Sequence, residues 1–123
     1  MTPTSRTLDY FRKRGDDPAV VERFIPGKPF GHRKDMFGFG DVVVMSDSII
    51  AVQSCGQSFA AHRRKILEDP DVAKRALRWL QCQGPPRLIL MGWRKVKKKR
   101  GGKQMVWKPR ILEFTQEDFK GVP

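Results

Sequence analysis

The chain has 123 residues, with 25 Lys+Arg against 13 Asp+Glu, a net charge of +12 and a pI of about 10.3. A hydrophobic fraction of 39% with 31% charged residues is that of a folded domain and excludes a disordered polyelectrolyte; at this length a single modest core suffices. No stretch approaches the ~18 consecutive apolar residues of a membrane helix, Cys55 and Cys82 are too few for a disulfide framework and read as free thiols, and the cationic excess favours an anionic partner, nucleic acid first.

The opening Met1-Thr2-Pro3-Thr4-Ser5-Arg6 has no apolar signal core, so a cytoplasmic location is expected. Thr4 or Ser5 can cap a helix running to Arg14, with Leu8 and Phe11 on one side and Gly15 as its stop. Asp16-Asp17-Pro18 then turns into a strand over residues 19–25. Within that strand Glu22 is an acid among apolar neighbours, either solvent-facing or a third acid for a site formed elsewhere. Residues 26–40, punctuated by Pro and Gly, read as a long loop, and loops of that length in compact domains are functional or disordered. Asp35 reads as paired with Arg33 and Lys34, an exposed contact of little energetic weight.

Gly38-Phe39-Gly40-Asp41 opens the strand Val42-Val43-Val44-Met45; Ser46-Asp47-Ser48 is a turn, and Ile49-Ile50-Ala51-Val52-Gln53-Ser54-Cys55 returns. With three residues in the turn, Met45 opposes Ile49, Val43 opposes Ala51 and Asp41 opposes Gln53. Side chains alternate faces along a strand, so Asp41, Gln53 and Cys55 share one face at the mouth of the hairpin. A carboxylate and an amide carbonyl converging there are the oxygen donors that a hard cation such as Mg²⁺ or Mn²⁺ takes.

Ser58 is placed to cap a helix over 59–68, and Asp69 to cap a second over 70–83 with Pro70 at its first position. In the second, Val72, Ala73, Ala76, Leu77 and Leu80 recur at helical spacing and should be buried. In the first, Arg63 and Arg64 suit phosphate contact. Lys65 is either a solvated cation or one that offsets charge on a phosphate, while His62 reads as a surface histidine rather than a base. Gly84-Pro85-Pro86 ends the helix, and the continuous apolarity of 87–93 marks an interior strand. Arg94, Lys95, Lys97, Lys98, Lys99, Arg100 and Lys103 follow, seven cations in ten residues around Gly101-Gly102. Flanked by Trp93 and Trp107, they form a basic hairpin over about 93–107 whose cations can displace the counterions condensed on phosphates. Residues 105–107 and 110–114 read as later strand, with Pro109 at an edge or bulge. The alternation of elements gives an α/β fold, a mixed sheet with helices on its faces, as one domain over 1–123. Nothing spells a base code, so recognition through backbone and DNA structure is expected.

The Asp41 hairpin resembles that of the PD-(D/E)XK nuclease superfamily, the group of restriction endonucleases and Holliday-junction resolvases. Asp41 matches the Asp that begins one strand, Gln53 stands where the next strand usually has Glu or Asp, and Cys55 stands where it usually has Lys. The resemblance covers about residues 5–115. Some members resemble this chain in using Gln at the second position, and others carry the Lys on the following helix, where Lys65 stands. The resemblance implies a restriction-endonuclease-like mixed sheet flanked by helices. It also implies Mg²⁺ (or Mn²⁺) held by Asp41, Gln53 and the Ser54 carbonyl, and a catalytic set of Asp41, Gln53 and Lys65 with Glu22 as an added acid. The expected function is a divalent-metal-dependent DNA endonuclease acting on branched or structured DNA. The alternative is a catalytically inactive nucleic-acid-binding module on the same fold, its site eroded to Gln53 and Cys55. DNA is the expected partner, no membrane is involved, and a homodimer is left open.

Overall fold

The computed structural model describes residues 1–123. Helix α1 (Pro3–Lys13) starts earlier than expected because Thr2-Pro3 is the stronger start signal. Thr2 Oγ1 accepts the Ser5 N–H at 3.1 Å, and proline is tolerated in the first turn, where no N–H partner is needed. Strand β1 (Asp17–Val20) follows, then a two-stranded hairpin of β2 (Arg23–Ile25) and β3 (His32–Lys34), then β4 (Val42–Met45) and β5 (Ile49–Cys55). Helices α2 (Phe59–Glu68) and α3 (Pro70–Gln81) cross over to β6 (Arg87–Lys97), which turns back into β7 (Met105–Phe114) and a short 3-10 turn, Gln116–Phe119. The main sheet is mixed, in the order β1-β4-β5-β6-β7, with β5 and β6 parallel and every other neighbouring pair antiparallel. This is the α/β arrangement that the alternation of elements implies.

The sheet is covered on both faces, and strand alternation distributes its residues between them. Val42, Val44, Ile50, Val52, Ile89, Met91 and Trp93 meet Phe11 of α1 on one side. Ala51, Cys55, Leu88, Leu90 and Phe114 meet Phe59, Ile66, Val72, Ala73, Ala76 and Leu80 of α2 and α3 on the other. Phe59 can lie against the sheet because Gly92 has no Cβ there to collide with its ring. Asp69 caps α3 as expected, accepting from Asp71 N–H at 3.1 Å and Val72 N–H at 3.3 Å. Ser58 does not cap α2; its hydroxyl lies 3.0 Å from His62 Nδ1 instead.

Several expected boundaries shift. The strand expected over 19–25 breaks after Val20, because the N–H groups of Val21 and Glu22 both turn to the Asp41 carbonyl, at 3.0 and 3.3 Å. The chain then leaves the main sheet and pairs β2 with β3, so the supposed loop 26–40 contains a strand of its own. It also contains a tight turn at Met36–Gly40, which Phe37 and Gly38 enter at φ 55° and 82°. Residues 105–107 and 110–114 are one strand, with Pro109 on the sheet edge opposite Trp93. Helix α3 stops at Gln81, short of 83. No helix is long and apolar enough to cross a membrane.

Candidate metal centre

The register inferred for the β4–β5 hairpin is the one observed, Val43 opposite Ala51 and Met45 opposite Ile49. One step beyond the ladder, Asp41 N–H donates to the Val52 carbonyl at 3.0 Å, which turns the Asp41 side chain toward Gln53. Gln53 Nε2 donates to Asp41 Oδ2 at 3.3 Å, and the Ser54 N–H donates to both carboxylate oxygens, at 3.1 and 3.2 Å. Asp41 and Gln53 are only 2% and 3% exposed. Along a strand the N–H and C=O of one residue point to the same edge, so the Ser54 carbonyl faces the Asp41 side as well.

Two further acids arrive from the small hairpin. Its register pairs Arg23 with Lys34, so Glu22 and Asp35 flank its base as the next pair outward. The hydrogen bond that holds Glu22 N–H to the Asp41 carbonyl delivers that base to the mouth of the β4–β5 hairpin. One carboxylate oxygen from each of Glu22, Asp35 and Asp41 lies within 4.8 Å of the others. The three acids line a polar cavity of about 490 Å³ together with Arg33, Gln53, Ser54 and His62.

The charges are unevenly compensated. Arg33 Nη1 bonds Glu22 at 3.0 Å, and Lys65 Nζ stands 3.7 Å from Asp35 Oδ2. Asp41 has no cation and is the most buried of the three. Burial pushes its carboxyl up to about 7, the charges of Asp35 and Glu22 add to the rise, and the Ser54 N–H works against it. Gln53 Oε1 is buried without a hydrogen-bond partner, an arrangement that ordinarily costs about 1–3 kcal/mol. An all-oxygen donor set with excess negative charge and an orphaned carbonyl oxygen fits a hard dication. These residues can therefore hold a metal ion.

The remaining expected site residues are distributed as follows. Cys55 has the expected strand parity but does not reach the mouth: α2 begins just beyond it, and the thiol is enclosed with Phe59 and Leu90 in the helix-side core. Burial first, and the charge of Asp41 second, push the thiol up to about 11, so it is neutral and cannot stand in for an ammonium. Lys65 comes to the acidic cluster by way of Asp35. Arg63 and Arg64 are exposed on α2. Arg94, Lys95 and Lys97 are exposed on β6, while Lys98, Lys99, Arg100 and Lys103 are exposed in the turn before β7.

Three contributors escape the sequence reading. Asp35 is not an exposed partner of Arg33 and Lys34; Arg33 goes to Glu22, and Asp35 joins the cluster. The symmetric flanking of 23–34 by two acids is the signal that could have found it. His62 is half-buried and lines the cavity. Thr7 is fully buried and accepts from Ser54 Oγ at 2.7 Å and from Trp93 Nε1 at 2.9 Å, which locks Ser54 from behind. Its spacing of four residues from Phe11 places it on the buried stripe of α1.

A scan against models of known protein families, a search of curated proteins and a search of solved structures each return no match.

Proposed function

We propose that this chain is a divalent-metal-dependent endonuclease that cuts branched or otherwise structured DNA. The observation that carries the reading is the convergence of Glu22, Asp35 and Asp41 oxygens within 4.8 Å at a cavity that Gln53, its buried Oε1 unpartnered, also lines. Asp41, Gln53 and the Ser54 carbonyl are the ligands the nuclease resemblance implies, and Glu22 and Asp35 add charge to that set. A divalent ion bound among these oxygens supplies a Lewis acid and acidifies its bound water, the chemistry that phosphodiester hydrolysis needs. The chain's own residues then divide the work. Ser54 N–H orients the Asp41 carboxylate, and Thr7 holds Ser54 in place. Lys65, whose Nζ lies 3.7 Å from Asp35 Oδ2, offsets charge on a phosphate that enters beside Asp35. Arg63, Arg64 and the cations of the β6–β7 hairpin bind the DNA backbone.

A non-catalytic DNA-binding module is the second reading, favoured by the burial of Cys55 where the nuclease family carries its lysine. One experiment separates them: linear duplex, single-stranded and four-way-junction DNA are incubated with wild type, Asp41→Ala and Lys65→Ala in Mg²⁺, Mn²⁺ or EDTA. The nuclease reading expects cleavage by wild type only with metal, none by Asp41→Ala, and a severalfold slower reaction for Lys65→Ala. It also expects weaker Mn²⁺ binding by Asp41→Ala in calorimetry. Equal Mn²⁺ affinity and no cleavage, with DNA binding intact, would assign the chain to the binding module.

A further inference from the structure

The β2–β3 hairpin contributes Glu22 and Asp35 from its base, yet the rest of it has no part in holding a metal. Residues 23–34 carry Arg23, Lys28, Arg33 and Lys34 and no acid. Amid these cations two large aromatic side chains face solvent, Phe24 at 61% exposure and Phe30 at 84%. Phe24 pairs across the hairpin with Arg33, so the two side chains share a face, and Arg33 is the residue that bonds Glu22. The Phe24 ring is laid across the Gly31 backbone, where a Cβ would overlap it, so the glycine gives the ring its seat and the remainder stays open. Phe24 is two residues along the chain from Glu22, at most ~7 Å between their Cα atoms.

We propose that Phe24, with Phe30 at the hairpin tip, is a stacking platform for an unpaired base of the DNA strand whose phosphate enters the acidic cavity. This rests on the nuclease reading and narrows its substrate to DNA with single-stranded nucleotides at the cut site. The cations surrounding the rings favour a polyanion over an apolar protein surface as the partner. In a continuous duplex the bases are stacked on one another and offer these rings no face. An unpaired base offers a π-face whatever its identity, which suits a site without a base code.

The test is binding in EDTA, where the DNA is not cut. Wild type, Phe24→Ala/Phe30→Ala and Phe24→Trp are titrated with a single strand carrying 2-aminopurine and with the matching duplex. The expected result is a 2-aminopurine fluorescence change with wild type on the single strand. Loss of both rings should weaken single-strand binding roughly 5- to 150-fold and leave duplex binding unchanged, while Phe24→Trp keeps the optical signal. Both phenylalanines are exposed, so the double variant should fold, and circular dichroism verifies it. Undiminished single-strand affinity in the double variant, or an equal fall for duplex, overturns the platform. Mg²⁺-dependent cleavage by wild type is scored separately on the same oligonucleotides. Wild type that cuts while the double variant binds and cuts single strands equally well refutes the platform and leaves the nuclease standing. Wild type that stacks the base but never cuts removes the nuclease and leaves the base contact.

Discussion

Asp41→Asn should stabilise the protein in EDTA at alkaline pH and leave its stability unchanged near pH 4. Burial raises the Asp41 carboxyl from its ordinary 3.8 to about 7, roughly 3 pH units at about 1.4 kcal/mol each. Folding with this group ionised therefore costs on the order of 4 kcal/mol. Between 3.8 and about 7 the folded chain keeps a proton that the unfolded chain has released. The contribution of Asp41 to stability is thus complete below about pH 4 and is lost as pH rises through 7. An asparagine has nearly the same shape, can still accept the Ser54 N–H, and carries no charge at any of these values. The gain on substitution should grow from nothing near pH 4 to about 4 kcal/mol at pH 8. With an unfolding entropy of ~2.1 cal/mol/K per residue, that gain is a rise of about 15 °C in Tm for a chain of this length. Thermal unfolding followed by circular dichroism from pH 5 to pH 8 reads it directly. Adding Mg²⁺ at pH 8 should raise the Tm of wild type and do little for the variant, because a ligand that binds only the folded state stabilises it. A Tm difference that stays flat across this pH range would refute the assignment of a strained, uncompensated carboxylate.

Three further outcomes are expected. Replacing Lys97, Lys98, Lys99 and Arg100 with Ser should flatten the dependence of log K on log[salt] for duplex DNA by up to ~3.6, at about 0.9 per phosphate contact; an unchanged slope would mean that the β6–β7 turn faces away from DNA. Gln53→Glu removes the amide donor to Asp41 and adds a fourth acid, so it should cost about 1–3 kcal/mol in EDTA while enlarging the Mg²⁺-induced rise in Tm, and a smaller Mg²⁺ effect than in wild type would exclude this position as a ligand. Thr7→Val leaves Ser54 Oγ and Trp93 Nε1 without their shared acceptor, which should lower unfolding stability in urea by about 1–3 kcal/mol; a neutral result would show that water replaces the hydroxyl.

The pairing of Asp41 with Gln53 was legible because it is local. A three-residue turn and strict alternation leave one register that buries Val42 and Val44, and a slip by one residue would expose them. The break between α2 and α3 was legible for the same reason, since Asp69-Pro70 carries its own capping chemistry. Asp35 is not legible in the same way, because adjacency in sequence suggests salt bridges with Arg33 and Lys34. Alternation turns Lys34 away from Asp35, Glu22 takes Arg33 across the hairpin, and Asp35 meets Lys65 from a different element. Cys55 was placed on the correct face at the wrong depth. Alternation says which way a side chain points but not where the next helix will land, and α2 closes over the thiol.

By itself the sequence determined what depends on composition and near neighbours: a basic α/β domain, a hairpin that sets Asp41 against Gln53, and a cationic turn between two strands. Tertiary structure decided the assembly of the site. Two backbone hydrogen bonds to the Asp41 carbonyl end β1 and swing Glu22 inward, the β2–β3 pairing brings Asp35 opposite it, and Thr7 of the first helix secures Ser54. These contacts join residues up to 47 positions apart. No periodic pattern encodes contacts of that kind; they follow from satisfying buried polar groups once the sheet and its helices have closed around them.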